Sequence, residues 1–137
     1  MVGEDPGKLP DQGIEMQSSS NDSRIFRIDR FVVPIAAEAE FLATVAEINT
    51  VFDDMDGCLQ RHVLRQQGTS GDAIYMTIVE WESAATIQMA REAADAKHKE
   101  MGLDPQEMFQ RLQIMADLGN YAPVSGGASA PIRRMAP

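Results

Sequence analysis

The sequence predicts an α+β protein of ferredoxin-like topology, β-α-β-β-α-β, with one four-stranded antiparallel sheet. Three observations carry this prediction. The stretch AIYMTIVEW is rich in β-branched and aromatic residues, which is typical of a strand. The stretch EAEFLATVAEINTVF repeats its large apolar residues at helical spacing. Strand and helix patterns then follow one another along the chain in the order of this fold, which places both main helices on one face of the sheet.

The first half of the chain supplies three strands and one helix. The first strand is predicted from Ile25 to Val33, because Pro34 ends the apolar run. The helix that follows has one apolar stripe, formed by Phe41, Val45, Ile48 and Phe52, and the stretch DDMDG breaks it. A polar strand is predicted over residues 59–67 and a clearer one over residues 73–81, joined by the hairpin-length loop GTSG.

The second half adds two helices and the last strand. Ser83 is a plausible N-cap for a helix from Ala84 to about residue 100. Asp104 begins a short helix to about residue 110, with proline in its first turn and Glu107 three residues after the cap. Apolar residues alternate with Gln, Met and Asp over residues 112–118, which predicts a strand.

Length and composition indicate one domain with two arms. The 137 residues suit a single domain at residues 24–121, between a polar acidic arm at residues 1–23 and a tail rich in Pro, Gly and Ala at residues 122–137. No run of 18 apolar residues predicts a membrane span. The polar N-terminus does not resemble a signal peptide, and the single cysteine suits a reducing compartment, so we expect a cytoplasmic protein.

Charge and motif content exclude several functional classes. The net charge of −9 argues against nucleic acid, which needs a basic face. Cys58 and His62 are too few ligands for a metal site, and Cys58 has no CxxC partner. No glycine-rich phosphate loop is present. The sequence therefore predicts neither a nucleic-acid partner nor a metal.

Both faces of the strands are largely apolar. In the strand 73–81 one face carries Tyr75, Val79 and Trp81, and the other carries Met76 and Ile78. A sheet with one solvated face should alternate more cleanly, and helices cover only one face. The simplest cover for the other face is the same sheet of a second subunit, which predicts a homodimer.

Several short motifs together resemble the antibiotic biosynthesis monooxygenase family of dimeric α+β barrels. They are FVV-P before the first helix, Asp56-Gly57 before the second strand, EWES followed by an Ala-rich helix, and the closing YAPV, over about residues 25–124. The resemblance implies a sheet that pairs with its twin into a barrel and a pocket between sheet and helices. It also implies that the relatives include monooxygenases that oxidise quinols or anthrone-like polyketides with no cofactor, enzymes that degrade haem, and proteins that only bind ligands.

Four polar or aromatic residues are the main site candidates, each with a plainer alternative. Trp81, where strand meets helix, would be a pocket wall for a flat substrate or a core plug. Asn49 would donate to a ligand oxygen or remain solvated. The candidate catalytic bases are His98, which lies between two lysines, and His62. The plainer alternative for His98 is an exposed position at a helix end, and for His62 it is a position at the dimer interface.

Tyr75 and Met76 are further candidates for substrate contact. Tyr75 lies on a strand face that is expected to be buried, and Met76 offers an adaptable apolar lining, although plain core filling also explains a methionine.

The haem-degrading branch of the family is disfavoured. The resemblance implies that haem-degrading members use an Asn–Trp–His set with the asparagine on the first strand. Here Asp29 takes the nearest place. Arg91 stands ten residues after the tryptophan, where a closer match would have histidine. The resemblance then implies a cofactor-free monooxygenase acting on a small aromatic, quinol-like or polyketide-like compound. The alternative is a non-catalytic ligand-binding or structural dimer, which a purely apolar pocket would favour.

Overall fold

A computed structural model describes residues 23–68 and 70–124. In chain order the elements are β1 (Ile25–Val33), α1 (Glu38–Asn49), β2 (Cys58–Arg65), β3 (Ala73–Trp81), α2 (Ala84–Met101), α3 (Pro105–Leu112) and β4 (Met115–Tyr121). Short 3-10 turns, Ile35–Ala37 and Thr50–Phe52, flank α1. The predicted α+β class and its four-stranded antiparallel sheet are confirmed. The two predicted arms fall almost entirely outside the described residues.

The strands are ordered β2-β3-β1-β4, so β1 lies at the centre of the sheet. It pairs with β3 on one side and β4 on the other, and Phe31 lies opposite both Tyr75 and Ala116. β2 is an edge strand, which explains how so polar a sequence can form one: its register shifts between Cys58 and Gln60, and most of its residues are exposed. None of the helices in the described residues is long and apolar enough to cross a membrane.

The last strand begins later than its alternating pattern predicts. Leu112 still belongs to α3, and Gln113 adopts a left-handed conformation with φ of 60° that ends the helix. The amide of Ile114 then donates to the carbonyl of Phe109 at 2.8 Å, in place of the helical pattern. The alternation of residues 112–118 therefore spans a helix end and a strand, and Ile114 between them is the buried residue.

Both predicted helix caps are present. The Ser83 side chain accepts from the amide of Thr86, whose hydroxyl accepts from the Ser83 amide, forming a capping box. The Asp104 carboxylate accepts from the amides of Gln106 and Glu107. These contacts fix where α2 and α3 begin, and so how both helices lie over the sheet.

The core has two clusters on the helix-covered face of the sheet. The larger one centres on Phe31 and Phe41, whose rings lie 4.9 Å apart. The smaller one contains Trp81, Val79 and Ala90. Residues on this face of β1 and β3 have odd numbers, because side chains alternate along a strand.

Gly57 lies where α2 comes closest to the loop before β2. A Cβ atom on this buried glycine would stand 2.4 Å from Cγ2 and 2.6 Å from Cβ of Thr86, in the first turn of α2. The Gly57 carbonyl also accepts from the amide of Glu82 at 2.9 Å. Only glycine allows this close approach of backbone and helix.

The other face of the sheet, the outer face, carries the even-numbered residues of β1 and β3. At its centre Ile78 of β3 lies opposite Ile28 of β1 and His62 of β2. Its apolar members are Phe26, Ile28, Val32, Ile74, Met76, Ile78, Leu64, Met115 and Tyr121. Leu64, Met115 and Tyr121 are exposed, and the rest are only half-buried.

Candidate functional site

A cavity of about 520 Å³ lies between the sheet and the helices. Its floor comes from the odd-numbered residues of β1 and β3, and its walls come from α1, α2 and α3. The lining is mainly apolar, with Phe41, Val45, Ile48, Val79 and Leu118 among its members. Its volume is within the range typical of small-molecule sites.

Trp81 lines the cavity and belongs to the core at the same time. Its side chain is 2% exposed. The Phe52 ring meets the indole edge-on, with the ring centroids 5.2 Å apart. Trp81 therefore forms a fixed part of the cavity floor, and its two sequence-based interpretations are compatible.

Polar groups enter the cavity from α2. Arg91, Asp95 and His98 succeed one another at helical spacing and all three line the cavity. His98 Nδ1 lies 4.0 Å from the nearer Asp95 carboxylate oxygen, and the His98 side chain is 21% exposed. The His98 ring therefore lies at the cavity wall, where its nitrogens can donate or accept a hydrogen bond, and it is not a fully solvated helix-end residue.

An ion pair enters the cavity from the opposite side, on the central strand β1. Arg27 Nε donates to Asp29 Oδ1 at 2.7 Å, and the side chains are 32% and 17% exposed. Burial raises the pKa of Asp29 above its ordinary value, although Arg27 acts to lower it. In the register Asp29 lies between Thr77 and Leu118, which also line the cavity.

Asn49 and Arg61 meet at one end of the cavity. Arg61 donates through Nη1 to the Asn49 carbonyl and through Nη2 to the Asp53 carboxylate at 2.6 Å. This contact ties edge strand β2 to the end of α1. Asn49 is one of the residues that line the cavity.

The remaining candidates lie elsewhere. His62 borders the cavity, but it pairs with Ile78 in the register, so its ring projects from the outer face, where Nε2 lies 3.1 Å from Gln60 Oε1. Met76 also belongs to the outer face. Tyr75 is buried in the larger core cluster and donates its hydroxyl to Glu38 at 2.6 Å. Neither Tyr75 nor Met76 is part of the cavity lining.

Replacing Tyr75 with phenylalanine is expected to raise the pKa of Glu38 toward its ordinary value. The Tyr75 hydroxyl is the largest cause of the lowered pKa, ahead of Arg65. A carboxyl with a lowered pKa stabilises the fold above its ordinary pKa, and this contribution is lost as pH falls through the folded value. The stability difference between wild type and Tyr75→Phe should therefore shrink on acidification. Urea unfolding from neutral pH to pH 3 would measure it; a constant difference would contradict the assignment.

Sequence reasoning did not single out the Arg27–Asp29 pair or Arg61. Arg27 and Asp29 have the same strand parity as Phe31 and Val33, but Phe26 and Ile28 make the other face of this strand apolar as well, so parity alone gave no clear signal. Among the described residues, no group of three or more His, Cys, Asp and Glu side chains is placed to hold a metal ion.

The sequence model of the antibiotic biosynthesis monooxygenase family matches residues 24–98. The chain belongs to this family. The match spans β1 through most of α2, and so includes the strand floor, Trp81 and the three polar residues of α2. It also confirms the family resemblance of the sequence motifs.

Solved structures share the fold at low sequence identity. A variant of SnoaB, a cofactor-independent oxygenase from Streptomyces nogalater, is 19% identical, with 78% of this chain and 99% of that chain covered and a TM-score of 0.54. Rv0793 from Mycobacterium tuberculosis is 16% identical, with coverage of 77% and 100% and a TM-score of 0.56. A variant of MhuD with two manganese protoporphyrin IX molecules bound per active site is 21% identical, with coverage of 74% and 96% and a TM-score of 0.55. No curated protein matches the chain significantly.

Proposed function

We propose that this protein is a cofactor-independent monooxygenase that oxidises a small aromatic, quinol-like or polyketide-like compound. The observation that carries the proposal is the cavity itself, which combines an apolar floor and walls with a few polar groups on opposite sides. A purely apolar cavity would instead favour ligand binding without chemistry. Family membership and the likeness to SnoaB, named as a cofactor-independent oxygenase, support the same class of reaction.

The chemistry demands little of the protein. Dioxygen is a triplet and reacts slowly with closed-shell compounds, but an electron-rich phenolate or enolate can transfer an electron to it. For an anthrone-like substrate, loss of one proton gives the carbanion, which adds dioxygen to form a peroxide. Loss of water then leaves a carbonyl, so that CH₂ and O₂ become C=O and H₂O. The protein must provide a proton acceptor and a cavity that excludes water.

His98 is our candidate for the proton acceptor. It lines the cavity on α2, and its side chain is 21% exposed. His62 is the weaker candidate because its ring projects from the outer face. Trp81, which is 2% exposed, closes the cavity floor, so an aromatic substrate would contact only the small part of the indole that reaches the cavity.

Haem degradation fits the residues less well. A porphyrin in this cavity would face the Arg27–Asp29 ion pair on β1. Arg91, rather than a histidine, stands one residue after buried Ala90 on the facing helix. An arginine does not ligate iron. We therefore derive no step through a haem group.

Two finer features accompany this proposal. The apolar outer face suits a second copy of the chain, so we propose a homodimer paired through this face. The free cysteine Cys58, whose thiol pKa is raised by burial, is consistent with a cytoplasmic location.

The test is oxygen uptake by purified protein treated with a chelator and mixed with hydroquinones and anthrones. Uptake above the protein-free background is expected, and His98→Ala should lower it by about 10²–10⁴-fold, as loss of a general base does. The exposed neighbour Lys99, which is not part of the lining, provides the matched control Lys99→Ala, with uptake unchanged. No uptake across the panel would favour the alternative function, binding of a small molecule without turnover.

A further inference from the structure

The Arg27–Asp29 ion pair is formed within a single strand, β1. Its two members are two residues apart on the same strand, so their contact joins no separate elements of structure. Two contacts reach the neighbouring strand β4: Arg27 Nη1 lies 3.4 Å from Asn120 Oδ1, which is long for a hydrogen bond, and Asp29 accepts from the Gly119 backbone. An ion pair removed from water costs free energy unless its remaining donors and acceptors are also satisfied. A ligand that completes them would give the pair a purpose.

The surroundings of the pair are cavity lining rather than solvent. Asp29 lies beside Thr77 and Leu118, and Arg27 lies beside Val79. All of these residues line the cavity. Because the Asp29 side chain is only 17% exposed, the hydrogen-bonding positions that the pair does not use face the cavity.

The contacts of the pair define which hydrogen-bond donors and acceptors remain for a ligand. Arg27 uses Nε toward Asp29 and Nη1 toward Asn120 within the part of the chain that the structure describes, which leaves Nη2 as a donor. Asp29 accepts from Arg27 at Oδ1, and a backbone hydrogen bond from Gly119 adds a second donor. A carboxylate has about four acceptor positions, so at least one remains for a ligand.

We propose that Arg27 and Asp29 form a binding subsite for a phenolic hydroxyl group of the aromatic ligand. The hydroxyl donates to the Asp29 carboxylate, and its oxygen accepts from the Arg27 guanidinium. A phenol hydroxyl satisfies both partners through one oxygen, because it donates one hydrogen bond and accepts another. A methyl ether keeps the acceptor but lacks the proton, and a bare ring lacks both. The subsite thus selects the hydroxylated member of a series of equal ring size.

This subsite adds detail to the proposed function. It rests on one part of that function, the binding of an aromatic ligand in the cavity. Binding to a carboxylate also increases electron density on the phenol oxygen, which is the condition for electron transfer to dioxygen. The proton itself need not move to Asp29 for recognition to occur, so binding can be measured without turnover.

The experiment is calorimetric titration of the full chain with 2-naphthol and 2-methoxynaphthalene under argon, where no oxidation occurs. Wild type should bind 2-naphthol about 10–100-fold more tightly, because a hydrogen bond to a charged group contributes about 1.5–3 kcal/mol. Asp29→Asn, which is nearly isosteric, should reduce this preference to within about threefold. Glu40→Gln is the matched control: it removes another carboxylate paired with arginine, Arg111, but lies outside the lining, so the preference should persist.

Equal binding of the two probes by wild type would overturn the subsite, and so would an undiminished preference in Asp29→Asn. The wild-type comparison needs no variant, so a folding defect in Asp29→Asn does not prevent the test. Failure of the subsite and failure of the proposed function are distinguishable. A protein that prefers 2-naphthol but consumes no oxygen retains the subsite and loses the oxygenase assignment. A protein that consumes oxygen but binds the two probes equally retains the oxygenase assignment and loses the subsite.

Discussion

Replacing Trp81 with alanine is expected to lower the free energy of unfolding by about 3–5 kcal/mol, the usual cost of deleting a large buried aromatic side chain. Trp81 is 2% exposed and packs against Val79, Ala90 and the Phe52 ring. The truncated side chain would leave a hole at the cavity floor that the two strands paired with β3 cannot close. Urea unfolding followed by far-ultraviolet circular dichroism measures the change, since the variant loses the only tryptophan.

The control for this prediction is Met89→Ala on α2, next to buried Ala90. Met89 is 59% exposed, so its truncation should change stability by no more than about 0.5 kcal/mol. A loss below about 1 kcal/mol for Trp81→Ala would contradict the role of the indole as part of the core.

The second large effect is expected at the outer face, where Ile78→Glu should convert the proposed homodimer to monomer. Ile78 lies at the centre of this face, between Ile28 and His62. An uncompensated charge buried at an interface costs about 3–5 kcal/mol, which corresponds to a dissociation constant raised by about 100-fold or more. Sedimentation velocity over a concentration series would report the change in mass.

Ile35→Glu provides the matched control for the dimer. Ile35 is 54% exposed and lies on the 3-10 turn before α1, away from the outer face. The same substitution there should leave the mass unchanged. A wild-type protein that sediments as a monomer at every concentration would exclude the homodimer, and an Ile78→Glu dimer would exclude the outer face as its interface.

The fold followed from local patterns because those patterns agree with the tertiary structure. Pro34 ends β1, Ser83 caps α2 and Asp104 caps α3, and each is a backbone effect that depends on few distant contacts. The start of β4 was misplaced because period-two alternation cannot distinguish a strand from a helix end followed by a strand. The left-handed conformation of Gln113 decides between them, and glutamine gives little sign of it.

The candidate site was predicted less completely, for a physical reason. Trp81, Asn49 and His98 stand at element ends or on helix faces, where spacing alone suggests an orientation. The positions of His62 and Asp29 depend on strand register, which places the His62 ring on the outer face and Asp29 in the cavity. Register is fixed by pairing between distant segments, so the residues of a single strand do not reveal which face the helices cover.

Gly57 extends control of the cavity beyond its own walls. The missing Cβ lets the first turn of α2 approach the loop before β2, and α2 carries Arg91 and His98 farther along its length. A helix pushed outward at one end tilts as a rigid rod, so a methyl group at position 57 would move those side chains without touching the lining. The shape of the cavity is therefore adjustable through the tilt of one helix, by changes at a position outside the lining.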